Sequence, residues 1–237
     1  MTITSNTNQH LKEIRKLGGA TARAKAGRFV AEGEDLYAAA HAAGKEPLYV
    51  LHAPGLAGAR QDWLEVSPEL LREASRLGSG TRIISVHEQT WSAPTGPLVV
   101  ALWGVADPGN IGTIIRAAQA FGASCVALGP DCADPYGPKA VRASMGAIFA
   151  TPLARIEQVE ELPGEVIGLA PGDHPPLRGP LAGEATLLIG GERNGLPDEV
   201  LAACDHLAAI PQAAGHSLNA AMAATVALYE ATRMAAE

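Results

Sequence analysis

The sequence predicts an α/β protein whose second half is a parallel sheet covered by helices on both faces. The first observation is a set of continuous apolar runs, a pattern typical of strands buried on both sides. These runs are 98–102, 125–128, 166–170, 187–189 and 207–210. The second is that helical patterns separate them, at 111–121, around 140–149, after 197 and over 217–234. The third is the composition: 237 residues with 47% hydrophobic but only 4% aromatic side chains indicate an aliphatic core of ample size.

The first half predicts a smaller α/β module. Its elements are a basic amphipathic helix over 10–25, an extended run over 28–33, a helix over 35–43, a strand over 47–51, a helix over 68–77 and a strand over 82–86. Ser67 followed by Pro68 is a typical helix start. Residues 92–97 contain two prolines and a glycine and are predicted to be a linker. The expected domains are therefore 1–91 and 98–237.

The sequence shows no sign of a membrane span, a disulfide framework or a metal site. The first six residues lack a basic and apolar signal pattern, and no apolar run approaches the length of a membrane span. We therefore expect a soluble, cytoplasmic protein. Cys125, Cys132 and Cys204 are odd in number and lack the spacing of zinc ligands, so free thiols and no bound metal are expected.

Charge is distributed unevenly along the chain. The net charge is −7, yet residues 1–30 contain six basic side chains and a single acidic one. The basic side chains are Lys12, Arg15, Lys16, Arg23, Lys25 and Arg28. A basic arm on an acidic protein suits local contact with a polyanion, and these six residues are the candidate contacts. Charge alone leaves open the alternative of a solvated helix face.

Three loops that follow predicted strands in the second half are rich in Gly, Pro, Asn and Arg residues. The first, second and third loops are 105–116, 188–196 and 210–219. Loops at the carboxyl ends of parallel strands are where α/β proteins build ligand sites. In the first loop, Asn110 is the predicted N-cap of a helix that offers free N–H groups to an anion, and Arg116 leans back toward that helix start. The alternative is an ordinary connection with a surface arginine.

The second loop contains three glycines around an acidic residue. Gly190, Gly191 and Gly195 allow a close backbone approach, but the loop matches neither GxGxxG nor the P-loop pattern. Glu192 disfavours a phosphate as the ligand, so a ligand with positive charge or amino groups fits better. The loop taken alone is a weak signal.

The third loop opens the last predicted helix. Ser217 is the predicted N-cap, and Asn219 is a polar residue in the first turn, where an apolar one is expected. His216 is a candidate base or capping residue, although a lone histidine is more often neither. Small residues on several faces of the helix over 220–229 permit close packing, for example against a second subunit.

Together and in this order, the three loops resemble the signature motifs of the SpoU/TrmH family of RNA ribose 2′-O-methyltransferases. The matching stretches are PGNIGTIIR at 108–116, IGGERNGL at 189–196 and IP…SLNAAMA at 210–223. KAVRASMGAIF at 139–149 is also similar to the family. Residues 4–33 resemble part of the small RNA-substrate-binding domain of many rRNA-directed members, which looks like an RNA-binding ribosomal-protein fold. The resemblance covers nearly the whole chain.

The resemblance implies a deep trefoil knot in the second domain, with S-adenosylmethionine bent inside the knotted loops, and a homodimer with the last helix at the interface. The implied catalytic residues are Asn110, Arg116, Glu192, Ser217 and Asn219, and the implied cofactor-binding residues are Gly190, Gly191, Gly195, Ile210, Pro211 and Leu218. The six basic residues of the arm become candidate RNA contacts. The sequence departs from the family at His216, where many relatives carry an acidic or small residue, and at Asp107, where Asn is common.

The expected reaction is methyl transfer to a ribose 2′-hydroxyl of RNA, with large-subunit rRNA as the expected substrate. The enzyme must align the hydroxyl with the methyl group and stabilise the charge that develops on its oxygen. Arg116 suits this task, and electrostatic stabilisation is favoured over proton abstraction because a guanidinium hardly deprotonates. A tRNA-directed enzyme and an inactive RNA-binding protein of the same fold are the alternatives. The sequence does not specify the target nucleotide.

Overall fold

The computed structural model describes residues 2–78, 80–213 and 218–233. The chain forms two compact units: the first comprises Met1–Gln89 and Asp134–Ala150, and the second comprises Thr90–Ala133 and Thr151–Glu237. Residues 134–150 thus pack within the first unit, although their position in the sequence predicts that they belong to the second domain. Each unit has its own sheet, and none of the described helices is long and apolar enough to cross a membrane.

The helices and strands follow the predicted order, with additions. They are α1 Gln9–Leu17, α2 Ala20–Ala26, β1 Arg28–Glu32, α3 Glu34–Ala42, β2 Tyr49–His52, β3 Leu64–Glu65, α4 Pro68–Ala74, β4 Ile83–Glu88, β5 Leu98–Trp103, α5 Pro108–Ala120, β6 Cys125–Leu128, α6 Pro138–Ala143, β7 Leu153–Arg155, β8 Glu165–Leu169, β9 Ala185–Gly190, α7 Asp198–Ala202, β10 His206–Ala208 and α8 Ala220–Thr232. Short 3₁₀ turns occur at Ala147–Phe149 and Val159–Glu161. The very short strands β3 and β7 were not predicted.

The sheet of the first unit has the order β1-β4-β2-β3, with β4 antiparallel to both neighbours and β2 parallel to β3. Helix α1 buries Leu11, Ile14 and Leu17 in the core of this unit. The prediction of a single helix over 10–25 is wrong, because Gly18 and Gly19 separate α1 from α2. Gly19 is extended, with φ −97° and ψ 138°, and the chain therefore changes direction there.

Residues 134–150 complete the core of the first unit. The ring of Phe29 lies 4.8 Å from that of Tyr136 and 5.8 Å from that of Phe149, measured between centroids. Arg23 is only 5% exposed, and its Nη2 lies 2.7 Å from a carboxylate oxygen of Asp134. This ion pair and these aromatic contacts hold the segment against α2 and β1.

The six strands of the second unit are all parallel, in the order β10-β8-β9-β5-β6-β7, which confirms the predicted parallel sheet. Residues 92–97, the predicted linker, are held at both ends: Ser92 N donates to Leu153 O at 2.8 Å, and Ala185 N donates to Pro97 O at 2.9 Å. The three cysteines lie in this unit and are free thiols. All six strands direct their carboxyl ends to one edge, where the candidate site lies.

Candidate active site

The first loop begins helix α5 earlier than predicted. Asp107, and not Asn110, is the N-cap, and its carboxylate accepts a hydrogen bond from the Asn110 backbone N–H at 2.9 Å. The prediction that Asn110 is the cap is wrong, because Pro108 is favourable at the first helical position and moves the start of the helix toward the N-terminus. The Asn110 side chain is therefore available for contacts outside its own helix.

Arg116 lies on the exposed side of α5. Gly112 and Gly109 occupy the positions one and two turns earlier on the same helical face, since residues three to four apart are neighbours on a helix surface. Gly112 itself is buried, and the exposed Thr113 is the neighbour of Arg116 toward the start of α5. Helical side chains lean toward the N-terminus of the helix, so the guanidinium is directed toward that end of α5.

Hydrogen bonds between side chains connect the three loops. The Asn110 amide donates to the carboxylate of Glu192, which joins the first loop to the second. The Asn219 amide donates to Oδ1 of Asn110 at 3.1 Å, which joins the third loop to the first. Asn110, Glu192 and Asn219 therefore form one polar cluster, as expected if they serve one reaction.

Asn219 has a second role that the sequence pattern did not predict. Helix α8 begins at Ala220 with Asn219 as its N-cap, and Oδ1 of Asn219 accepts from the backbone N–H groups of Ala221 at 2.9 Å and Met222 at 3.3 Å. The prediction of Ser217 as N-cap is wrong, because Asn219 supplies the capping oxygen nearer the helix. Ser217 itself lies outside the described residues, as does His216.

A cavity of about 1190 Å³ opens at the carboxyl ends of β8, β9 and β10. Its lining includes all six predicted cofactor-binding residues, namely Gly190, Gly191, Gly195, Ile210, Pro211 and Leu218. Glu192 lines it as well, so the polar cluster borders the cavity. Apolar side chains such as Leu169 and Ile189 form other parts of the wall. Apolar walls with a few convergent polar groups are typical of small-molecule sites.

The glycines of the second loop are required by backbone packing. A Cβ atom on Gly190 would overlap the backbone of Gly195, and one on Gly191 would overlap the carbonyl oxygen of Gly104. Gly195 has φ +64°, a conformation that favours glycine. This loop therefore offers the cavity backbone groups along much of its length.

The loop after β8 also lines the cavity, although it was not among the three loops selected from the sequence. Leu169 to Gly172, His174 and Pro176 belong to this wall. Backbone hydrogen bonds of Leu177 N to Ala209 O at 2.8 Å and Ala209 N to Pro175 O at 2.9 Å fix the loop beside β10. Its Pro and Gly residues after a buried strand could have revealed it by the reasoning applied to the other loops.

The basic residues of the arm differ in their surroundings. Lys12, Lys16 and Lys25 are exposed. Arg15 lies 3.5 Å from a carboxylate oxygen of Glu73, and Arg28 lies 2.8 Å from one of Glu13. Arg23 is buried in the ion pair with residue 134, so it does not belong to the exposed basic surface. The three lysines are the cations most accessible to a polyanion.

The parallel sheet, the cavity at its carboxyl edge and the polar cluster beside it together define a methyltransferase-like site. The chain belongs to the SpoU rRNA methylase family, whose pattern it matches over residues 97–229. The structure of an AdoMet-bound rRNA methyltransferase from Sinorhizobium meliloti is similar, with a TM-score of 0.86 and 33% identity over 98% of this chain and 97% of that chain.

Two curated relatives also match over nearly their full lengths. An uncharacterized tRNA/rRNA methyltransferase of Synechocystis is 32% identical over 98% of this chain and 93% of its own length. The 23S rRNA (guanosine(2553)-2′-O)-methyltransferase of Bacillus subtilis is 28% identical over 96% of this chain and 97% of its own. The similarity thus extends through both units.

Proposed function

We propose that this protein transfers a methyl group from S-adenosylmethionine to a ribose 2′-hydroxyl of large-subunit rRNA, in the cytoplasm. The observation that carries the proposal is the hydrogen-bonded series Glu192–Asn110–Asn219 at the border of the cavity. It brings polar residues of all three motifs together beside a site suited to a nucleoside. The relatives described as acting on rRNA and the AdoMet-bound neighbour support the choice of substrate and methyl donor.

The residues of the cavity fit the methyl donor. Ile189, Ile210 and Leu218 provide apolar surface for an adenine ring, and the backbone of the second loop provides hydrogen-bonding groups at its edge. When bound, S-adenosylmethionine supplies a methyl group activated by a sulfonium centre. Glu192 contributes negative charge where the cavity meets the polar cluster.

The residues of the first and third loops would act on the ribose. Arg116 would hold the phosphate next to the target nucleotide and stabilise negative charge on the attacking oxygen. Asn110, whose amide is held by Glu192 and Asn219, would orient the ribose. Ser217 is proposed as a further polar contact by its place in the third motif.

Replacing Arg116 tests the proposed function. We expect Arg116→Ala to lower the rate of methyl transfer to rRNA by roughly 100-fold or more, because removing one donor to a developing oxyanion has effects of this size. Binding of S-adenosylhomocysteine should change by less than about twofold. Transfer of radiolabelled methyl groups and calorimetry give the two quantities, and Gln119→Ala, on the exposed side of the same helix, is the control. Retained turnover in Arg116→Ala would contradict the proposal.

We also propose that the protein is a homodimer. Helix α8 exposes Met222, Val226 and Tyr229 by 63%, 43% and 56%. Their spacing of four and three residues places them on one helical face, and the family resemblance assigns this helix to the dimer interface. A second copy of the chain is the proposed occupant of this apolar face.

A trefoil knot in the second unit is proposed as well, on the family resemblance. In support, the loop after β8 passes beside the end of α8, where Gly179 N donates to Glu230 Oε1 at 3.1 Å and Leu181 N donates to Ala231 O at 2.9 Å. A crystal structure whose traced chain is free of a knot would contradict this proposal.

A further inference from the structure

One cationic side chain that lines the cavity, that of Arg193, has no role in the function proposed above. Four of the described residues that line the cavity are titratable: His174, Glu192, Arg193 and Asp198. The carboxylate of Glu192 accepts a hydrogen bond from Asn110, whereas the side chain of Arg193 is exposed. Of these described residues, Arg193 alone carries a permanent positive charge.

No carboxylate in the described part of the chain forms an ion pair with Arg193. Among the described residues of the second unit, the ion pairs are Glu165 with His206 and Glu230 with Arg233. An exposed guanidinium at the wall of a ligand cavity is available for charge-assisted hydrogen bonds to an anionic group of the ligand.

The loop that carries Arg193 shows at which end of the cavity this residue lies. Gly195 N donates to Gly191 O at 3.0 Å, which closes a tight turn that contains both Glu192 and Arg193. Glu192 belongs to the polar cluster and is hydrogen-bonded to Asn110, which is proposed to orient the ribose. The turn therefore lies at the reacting end of the cavity, and Arg193 with it.

We propose that Arg193 binds the carboxylate of the amino-acid part of the methyl donor. The proposal rests on the proposed function. The sulfonium group must lie at the reacting end, and only a short aliphatic chain joins it to the carboxylate, so the carboxylate must lie near that end too. A guanidinium pairs with a carboxylate through two parallel hydrogen bonds, which suits this task better than a point charge.

Comparing two ligands in wild type and variant tests the proposal. S-adenosylhomocysteine carries the carboxylate, whereas 5′-methylthioadenosine lacks the whole amino-acid part. We expect Arg193→Ala to bind S-adenosylhomocysteine roughly tenfold more weakly than wild type, and 5′-methylthioadenosine within about twofold, by calorimetry. Arg193→Lys should recover part of the loss, because it keeps the charge without the paired geometry.

Arg178→Ala is the matched control, since Arg178 is exposed in the same unit but does not line the cavity. It should leave the affinity for both ligands unchanged. Equal weakening of both ligands by Arg193→Ala would overturn the inference, and so would unchanged affinities with a raised KM for RNA, which would assign Arg193 to the RNA. If wild type binds neither ligand, the proposed function itself fails.

Discussion

At the scale of single residues, His87 is a buried base in the core of the first unit. It is 3% exposed, and its ring lies 5.6 Å from that of Phe29 and 4.8 Å from that of Phe149. One ring nitrogen, Nε2, is 2.9 Å from the hydroxyl of Ser85. Burial lowers the pKa of His87 from 6.5 to about 4, and the charge of Glu46 and the backbone of Lys45 oppose this shift only in part.

This lowered pKa predicts that acid destabilises the protein. Between about pH 6.5 and pH 4, the unfolded chain binds a proton at His87 that the folded chain does not, so the free energy of unfolding decreases as the pH decreases. Over that window the loss from this residue is about 3 kcal/mol. Because His87→Phe removes the titrating group, the variant should lose less stability than wild type on acidification. Urea unfolding near pH 7 and near pH 4.5 measures this difference. Equal losses in the two proteins would contradict the prediction.

At the scale of secondary-structure elements, Asn219 both caps α8 and holds Asn110. Two substitutions separate these roles. Asn219→Asp keeps the capping oxygen but removes the N–H donor, whereas Asn219→Ala removes both. We expect the Ala variant to lose about 1 kcal/mol in the free energy of unfolding and the Asp variant to lose less. Both should lose roughly tenfold or more in the rate of methyl transfer, because Oδ1 of Asn110 loses its donor and the side chain is then held by Glu192 alone. Normal turnover in Asn219→Asp would show that the contact to Asn110 is dispensable.

The exposed face of α8 gives a prediction about assembly. We expect Met222→Lys combined with Val226→Lys to produce monomers, because two charges on the face would be desolvated at an interface. Sedimentation velocity measures the mass. The control is Glu199→Lys, at an exposed position of α7, which should leave the assembly unchanged. A double variant that sediments like wild type would place the interface elsewhere, and a monomeric wild type would contradict the proposed homodimer.

At the scale of the whole molecule, the candidate RNA contacts and the candidate active site lie in different units. The apolar face of α1 is part of the core, so deleting the basic arm would damage the first unit as well as remove charge. Substitution of Lys12 and Lys16 by Gln therefore tests the candidate RNA contacts better than deletion of the arm does.

Removing one lysine–phosphate interaction should lower the slope of log affinity against log salt by a little under one, so RNA affinity should fall most at low salt. Lys45→Gln, at an exposed lysine outside the arm, is the control. An unchanged salt slope in filter binding would remove these lysines from the RNA surface.

The chain passes between the two units three times, after Gln89, after Ala133 and after Ala150. The first unit therefore depends on a segment that follows β6 in sequence. Residues 1–91 alone would lack Asp134, the partner of the buried Arg23, and the aromatic rings contributed by Tyr136 and Phe149. An unpaired buried guanidinium costs several kcal/mol, so the proposed domain boundary at 91 separates residues that stabilise one another.

By itself, the sequence determined the class of fold and the composition of the candidate site. Continuous apolar runs indicate strands that are buried on both faces of a sheet. The motif stretches contain Asn110, Glu192 and the glycines that line the cavity, in a fixed order along the chain. These are local properties, which periodicity and residue type can reveal. The helix ends were less accurate, because Pro108 and Asn219 act through capping geometry that spans only a few atoms.

Only the tertiary structure decided which groups are free to act. Arg23 and Lys25 are close in sequence, yet one is buried against Asp134, more than a hundred residues away, and the other is exposed. The contact of Asn110 with Glu192 and the exposure of Arg193 at the cavity likewise depend on strands that meet only in the folded sheet. Residue type sets which interactions a side chain can make, but its partners come from distant parts of the chain, and their arrangement exists only once the chain has folded.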